Sequence, residues 1–117
     1  KDFMIQGGCF DKNMDPKQAD VIIGEFNANG FKNPLKHTKG VLSMARTNDP
    51  DSASSQFFIC HGDCRGSLDG KYAAFGKLIA GFDVLDKIAT VNTNINDRPV
   101  EDQQISSIKF VNVIAKK

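Results

Sequence analysis

The chain has 117 residues, 40% of them hydrophobic and 25% charged, which suits one soluble domain with its own core and excludes both disordered and fibrous compositions. Fifteen basic residues against fourteen acidic ones leave a formal net charge of +1, with no dense Lys/Arg block to meet a nucleic-acid backbone or an anionic membrane. No apolar run approaches the ~20 residues that cross a bilayer, so neither nucleic acid nor membrane is an expected partner.

The first element is a strand over Phe3 to Gln6, where aromatic and sulfur-containing groups stand beside a glutamine that both donates and accepts hydrogen bonds. Cys9 to Val21 is polar and weakly patterned, hence a loop, and Asn29-Gly30 marks a turn. His37 falls in a polar stretch and reads as a solvated loop residue, not a catalytic base. Val41 to Ala45 and Gln56 to Cys60 are the next strands, the second again placing a glutamine beside aromatics. Alternation puts Phe57 and Phe58 on opposite faces; Phe57 is expected in the interior and Phe58 on a groove.

Cys60-His61 with Cys64 supplies three candidate metal ligands, but no second cluster at finger spacing, so no metal is expected. Cys60 reads as a small buried hydrophobe, Cys64 as part of a Gly-Asp-Cys-Arg-Gly loop, and His61 as solvated. An odd cysteine number in a chain that needs no disulfide framework favours reduced thiols and a cytoplasmic setting. Asp69-Gly70 marks a turn, and Ala73 to Leu78 is a further strand. One helix is expected over Gly81 to Val91, where Phe82, Leu85 and Ile88/Ala89 recur at three-to-four-residue spacing. Asn92 to Gln104 is a loop. Ile108 to Ile114 then alternates Ile108, Phe110 and Ile114 against Val111 and Val113, a last strand apolar on both faces and covered on both, as in a closed barrel.

Five separated motifs carry a resemblance: Phe3-Met4-Ile5-Gln6-Gly7-Gly8, Gly40-Val41-Leu42-Ser43-Met44-Ala45, Ser54-Ser55-Gln56-Phe57-Phe58-Ile59, Leu68-Asp69-Gly70-Lys71 and Phe75-Gly76-Lys77. In order and spacing they resemble the cyclophilin family of peptidyl-prolyl cis-trans isomerases. Met44-Ala45-Arg46-Thr47-Asn48-Asp49-Pro50, followed by Ser52-Ala53-Ser54-Ser55-Gln56, is similar to bacterial members.

The resemblance implies a mostly β fold, a closed antiparallel barrel with a capping helix, and a single cyclophilin-like domain over 1–117 that corresponds to the carboxyl-terminal portion of the family. The first strands and first helix, and with them the family's catalytic arginine, would lie upstream of Lys1. It also implies that Phe3, Met4, Phe58 and Leu68 line a proline pocket and that Gln6 and Gln56 are polar groove residues, with Gln6, Gln56 and Phe58 assigned to catalysis. The backbone of Ala45, Arg46 and Thr47 would hold the residues before proline.

Ser67 stands where many members have tryptophan and Tyr72 where many have histidine. Loss of an indole removes a donor and an apolar plate, so weak binding of cyclosporin-type inhibitors is expected. The implied partners are proline-containing polypeptides, and no cofactor is implied. The implied function is isomerisation of X-Pro bonds in assisting protein folding; the alternative is a proline-peptide binding module with little turnover. On pattern alone, aromatics in strand-like runs are more often core than pocket, side-chain amides can simply satisfy edge backbone, and Arg46 can be an ordinary surface charge.

Overall fold

The computed structural model describes residues 2–11, 13, 16 and 19–111. Short runs of alternating apolar residues, each closed by Gly, Asn or Asp, form four strands: β1 (Met4–Gly7), β2 (Val41–Met44), β3 (Phe57–Cys60) and β4 (Ala74–Lys77). They make one antiparallel sheet in the order β1-β3-β2-β4. Among the described residues two α-helices accompany it: α1 (Arg65–Leu68), between β3 and β4, and α2 (Phe82–Ala89), which packs beside β1.

Register gives the two sheet faces different fates. Gln6 pairs with Phe58 and Phe58 with Ser43, while Ser43 pairs with Ala74, so these four residues form one row across a single face. That face carries the core, a cluster of Val41, Phe58, Cys60, Cys64, Leu68 and Ala74, with Met4, Ala45 and Tyr72 packed against it. The opposite face presents Ile5, Leu42, Met44, Phe57 and Ile59, all only half-buried. A bulge between Leu42 and Ser43 shifts the β2-β4 register and leaves Phe75 55% exposed.

Among the described residues the sheet is open, with β1 and β4 at its edges, and does not close into the expected barrel. Among the described residues Phe57, expected in the interior, is only half-buried, and Phe58, expected on the groove, is the fully buried one, at 1% exposure. The last strand is also not formed over its described part. Ile108, Phe110 and Val111 are exposed and belong to no strand, because alternation makes a strand only where a neighbour accepts its ladder; residues 112–114 lie outside the described residues.

α2 matches the expected helix with its ends trimmed. Gly81 enters it with φ 88°, Asp83 sits in the first turn and Lys87 in the last, in accord with the helix dipole, and Leu85 and Ala89 form the buried stripe. Gly40, at φ +90°, turns the chain into β2, and the ring of Phe82 lies where a side chain at Gly40 would have to go.

Candidate functional site

Gln6 on the edge strand β1 and Gln56, just ahead of β3, bring their amides side by side. Gln6 Nε2 donates to Gln56 Oε1 at 2.8 Å, an exposed contact across fifty residues of chain. Beneath Gln6, the core face opens into a hollow of about 230 Å³. Phe3, Met4 and Gln6 border it from β1 and its approach, Ala45 and Arg46 from the end of β2, and Phe58, Leu68 and Tyr72 from β3, α1 and the turn after it. The hollow thus combines an apolar floor with an amide rim.

Phe58 is the floor. Its ring meets Tyr72 edge-on, with centroids 5.9 Å apart at 81°, and stacks on His37 at 6.0 Å and 22°. Arg46 forms part of the wall instead of a free surface charge. Its guanidinium lies 4.7 Å from the Phe26 ring centroid and 4.6 Å from that of Tyr72, and donates to the carbonyls of Lys71 and Thr47. A second hollow of about 180 Å³ lies beyond Arg46, with Ile22, Phe26, Ala53 and Phe75 among its walls.

Eight of the residues named from sequence converge on the first hollow, and Gln56 joins them through Gln6. Thr47 and Ser67 do not line it. Both are exposed: Thr47 donates from its N–H to Ser52 Oγ, and Ser67 sits on α1 with its hydroxyl on the Cys64 carbonyl.

The two histidines are not solvated loop residues. His37 is 1% exposed and His61 8%, because every ring nitrogen has a partner. His61 accepts the Asp2 N–H at Nδ1 (2.7 Å) and bonds Asp86 Oδ1 through Nε2 (2.9 Å), tying the entry of β1 to α2. His37 bonds Asp69 Oδ1 through Nδ1 (2.9 Å) and Ser43 Oγ through Nε2 (2.8 Å). A carboxylate only accepts, so Nδ1 donates to Asp69, while Nε2 shares a hydrogen bond with the serine hydroxyl.

Burial alone would raise the Asp69 carboxyl, but the His37 N–H and imidazole outweigh it and hold the group below the usual carboxylate range. Asp86 is also held low, by Lys39 first and His61 second. Cys60 is pushed up to about 12, chiefly by burial and then by Cys64, so it is an inert thiol at neutral pH. Cys64, the loop residue that caps the start of α1, is buried as well. His37, Ser43 and Asp69 carried no local signal of a shared role: their partners lie six and 32 residues apart in sequence.

The family model described as Cyclophilin type peptidyl-prolyl cis-trans isomerase/CLD matches residues 1–110. A peptidyl-prolyl cis-trans isomerase of Acinetobacter baylyi is 45% identical over 119 residues, covering 91% of this chain and 61% of the relative. Peptidyl-prolyl cis-trans isomerase B of Escherichia coli is 41% identical, covering 91% of this chain and 69% of the relative. A crystal structure of a Cryptosporidium parvum cyclophilin-type isomerase superposes with TM-score 0.70 at 31% identity, over 86% of this chain and 62% of that one. The same protein in the presence of the dipeptide Ala-Pro gives 0.69. The chain therefore spans about three fifths of the length of the Acinetobacter relative.

Proposed function

Because this chain belongs to the cyclophilin-type family of peptidyl-prolyl cis-trans isomerases, we propose that its hollow takes the proline ring of flexible polypeptides and eases rotation about the X-Pro bond. Resonance sets that barrier at ~18–20 kcal/mol, and unaided prolyl isomerisation takes ~10–100 s. No covalent step is needed; a catalyst has to bind the twisted amide better than either planar form.

In this reading Phe3, Met4, Phe58, Leu68 and Tyr72 fix the ring while the preceding carbonyl swings. Gln6 and Gln56 hydrogen-bond the flanking backbone, and their mutual bond sets the rim. The N–H groups of Ala45 and Thr47 are already spent on Gln56 and Ser52, so the grip of the Ala45 to Thr47 stretch on the residues before proline would fall to its carbonyl oxygens. Ser67 offers no large apolar plate, which supports weak binding of cyclosporin-type inhibitors.

The open sheet is assigned to the closed barrel of the family, supported by the likeness to the Cryptosporidium isomerase and by a second sheet face made of half-buried apolar residues. A bacterial, cytoplasmic setting is supported by the Acinetobacter identity and by three free cysteines. The observation that carries the functional reading is the convergence of Phe3, Met4, Phe58 and Leu68, scattered over the sequence, on one hollow under Gln6. Exchange NMR on an Ala-Pro peptide tests it: catalysed exchange is the expected result, binding without exchange would make the chain a proline-peptide binding module, and neither would defeat the proposal.

A further inference from the structure

His37 does not line the hollow but contacts residues that do. His37 meets α1 at both ends: its carbonyl accepts the N–H of Cys64, which caps the start, and its own N–H donates to the carboxylate of Asp69, which caps the finish. α1 has only four residues, Gly and Ser among them, too short and too poor in helix formers to persist unaided. It is nevertheless the element that delivers Leu68, 5% exposed, to the wall of the hollow.

The His37 side chain reaches the other way. Its Nε2 engages Ser43, the cross-strand partner of Phe58, and its ring face backs the Phe58 ring at 6.0 Å. One residue thus reaches both sides of the hollow, α1 and its Leu68 mainly through its backbone, and Phe58 through its ring. Asp69 Oδ1 receives both the N–H and the Nδ1–H of His37, and Ser43 engages Nε2, so the ring is held at both edges.

We propose that the buried Asp69-His37-Ser43 chain positions the proline pocket, with His37 a positioning residue that acts on substrate through Phe58 and Leu68. The pocket then recognises the ring by a preset shape in place of a side chain that closes on it. This rests on the proline-pocket reading for its functional consequence, whereas its structural content, the restraint of Phe58, stands on the contacts themselves.

Two variants of the full chain test it. His37→Asn keeps a short amide donor toward Asp69 and removes the ring behind Phe58; Ser43→Ala removes the hydroxyl bonded to Nε2 and is one heavy atom smaller, so it fits the same space. Carbon-13 relaxation of the Phe58 ring is measured in both, alongside Ala-Pro exchange rates, peptide affinity and the melting midpoint. The expected result is faster Phe58 ring motion, larger in His37→Asn, with the loss of turnover appearing as a weaker apparent KM. A displacement of the order of 1 Å can cost ~10²-fold, so a loss of roughly 10- to 100-fold in kcat/KM is anticipated.

A merely structural role would lower the melting midpoint and leave ring motion and KM in the folded molecules alone. Unchanged Phe58 relaxation in a folded variant overturns the proposal, and if His37→Asn fails to fold, Ser43→Ala decides it. Should the unmodified chain show neither binding nor exchange, the proline-pocket reading falls, while the relaxation data still judge whether His37 restrains Phe58.

Discussion

Replacing Phe58 and Phe57 in turn with alanine separates the two faces of the sheet. Phe58 is 1% exposed, at the centre of the core cluster and in contact with the rings of His37 and Tyr72. Transfer of a buried aromatic side chain is worth about 1.5–3 kcal/mol, and truncations of Phe to Ala cost about 3–5 kcal/mol because a cavity remains. Here the ring borders a hollow of about 230 Å³, so water can enter the vacated space and reduce the cavity part. The expected loss for Phe58→Ala is therefore near the lower end, about 3 kcal/mol. At about 4 °C per kcal/mol this is a fall of roughly 12 °C in Tm.

Phe57, half-buried on the other face, has less to lose: about 1–1.5 kcal/mol, or roughly 5 °C. A chain of 117 residues has roughly 6–18 kcal/mol in hand, so both variants stay folded at low temperature. Calorimetry provides the midpoints, and titration with an Ala-Pro peptide below both midpoints gives affinity. Phe58→Ala is expected to lose both stability and affinity, Phe57→Ala a little stability alone. Equal or larger destabilisation by Phe57→Ala would refute the assignment of Phe58's face as the packed one, and unchanged affinity in Phe58→Ala would remove it from the pocket wall.

Gln6→Leu breaks only an exposed amide contact, so chemical denaturation should shift by less than about 1 kcal/mol while peptide affinity falls several-fold, roughly the worth of one hydrogen bond. Asp69, lowered on folding, contributes stability that is complete above its unfolded value of ~3.9 and is lost as pH falls through the folded value; denaturant midpoints should drop below about pH 4, and less steeply in Asp69→Asn. Cys60, raised to about 12, contributes in the opposite sense, its share fading as pH climbs above an unfolded value of ~8.5. In neutral buffer iodoacetamide should modify half-buried Cys9 first and reach Cys60 only on unfolding, which mass spectrometry would read directly.

The four strands were legible because each is a short apolar run ending in turn residues, and the expected runs differ from the observed elements by no more than one residue at either end. α2 was legible for a similar reason, a stripe at helical spacing with charges behind it. What escaped is non-local. α1 has no periodic signal in four residues and exists through contacts with His37, which lies some thirty positions away. Lys36 and Thr38 flank His37 and suggest a wet loop, yet Asp69 and Ser43 bury it. The alternation at Ile108, Phe110 and Val111 was equally clear in the sequence, but alternation specifies which side chains share a face and not which neighbour receives the ladder.

The same distinction explains why the hollow was foreseen better than its support. Its rim and floor occupy a single cross-strand row, Gln6 at the edge, then Phe58, then Ser43, then Ala74. Along that row exposure falls from the amide at the solvent edge to a fully buried serine, so polarity is affordable at one end and has to be satisfied at the other. Ser43 in the row's interior therefore requires a hydrogen-bond partner, and His37 Nε2 provides one at 2.8 Å. A strand that carries serine at this position calls for a partner such as His37, and that partner's flat face is what Phe58 leans on.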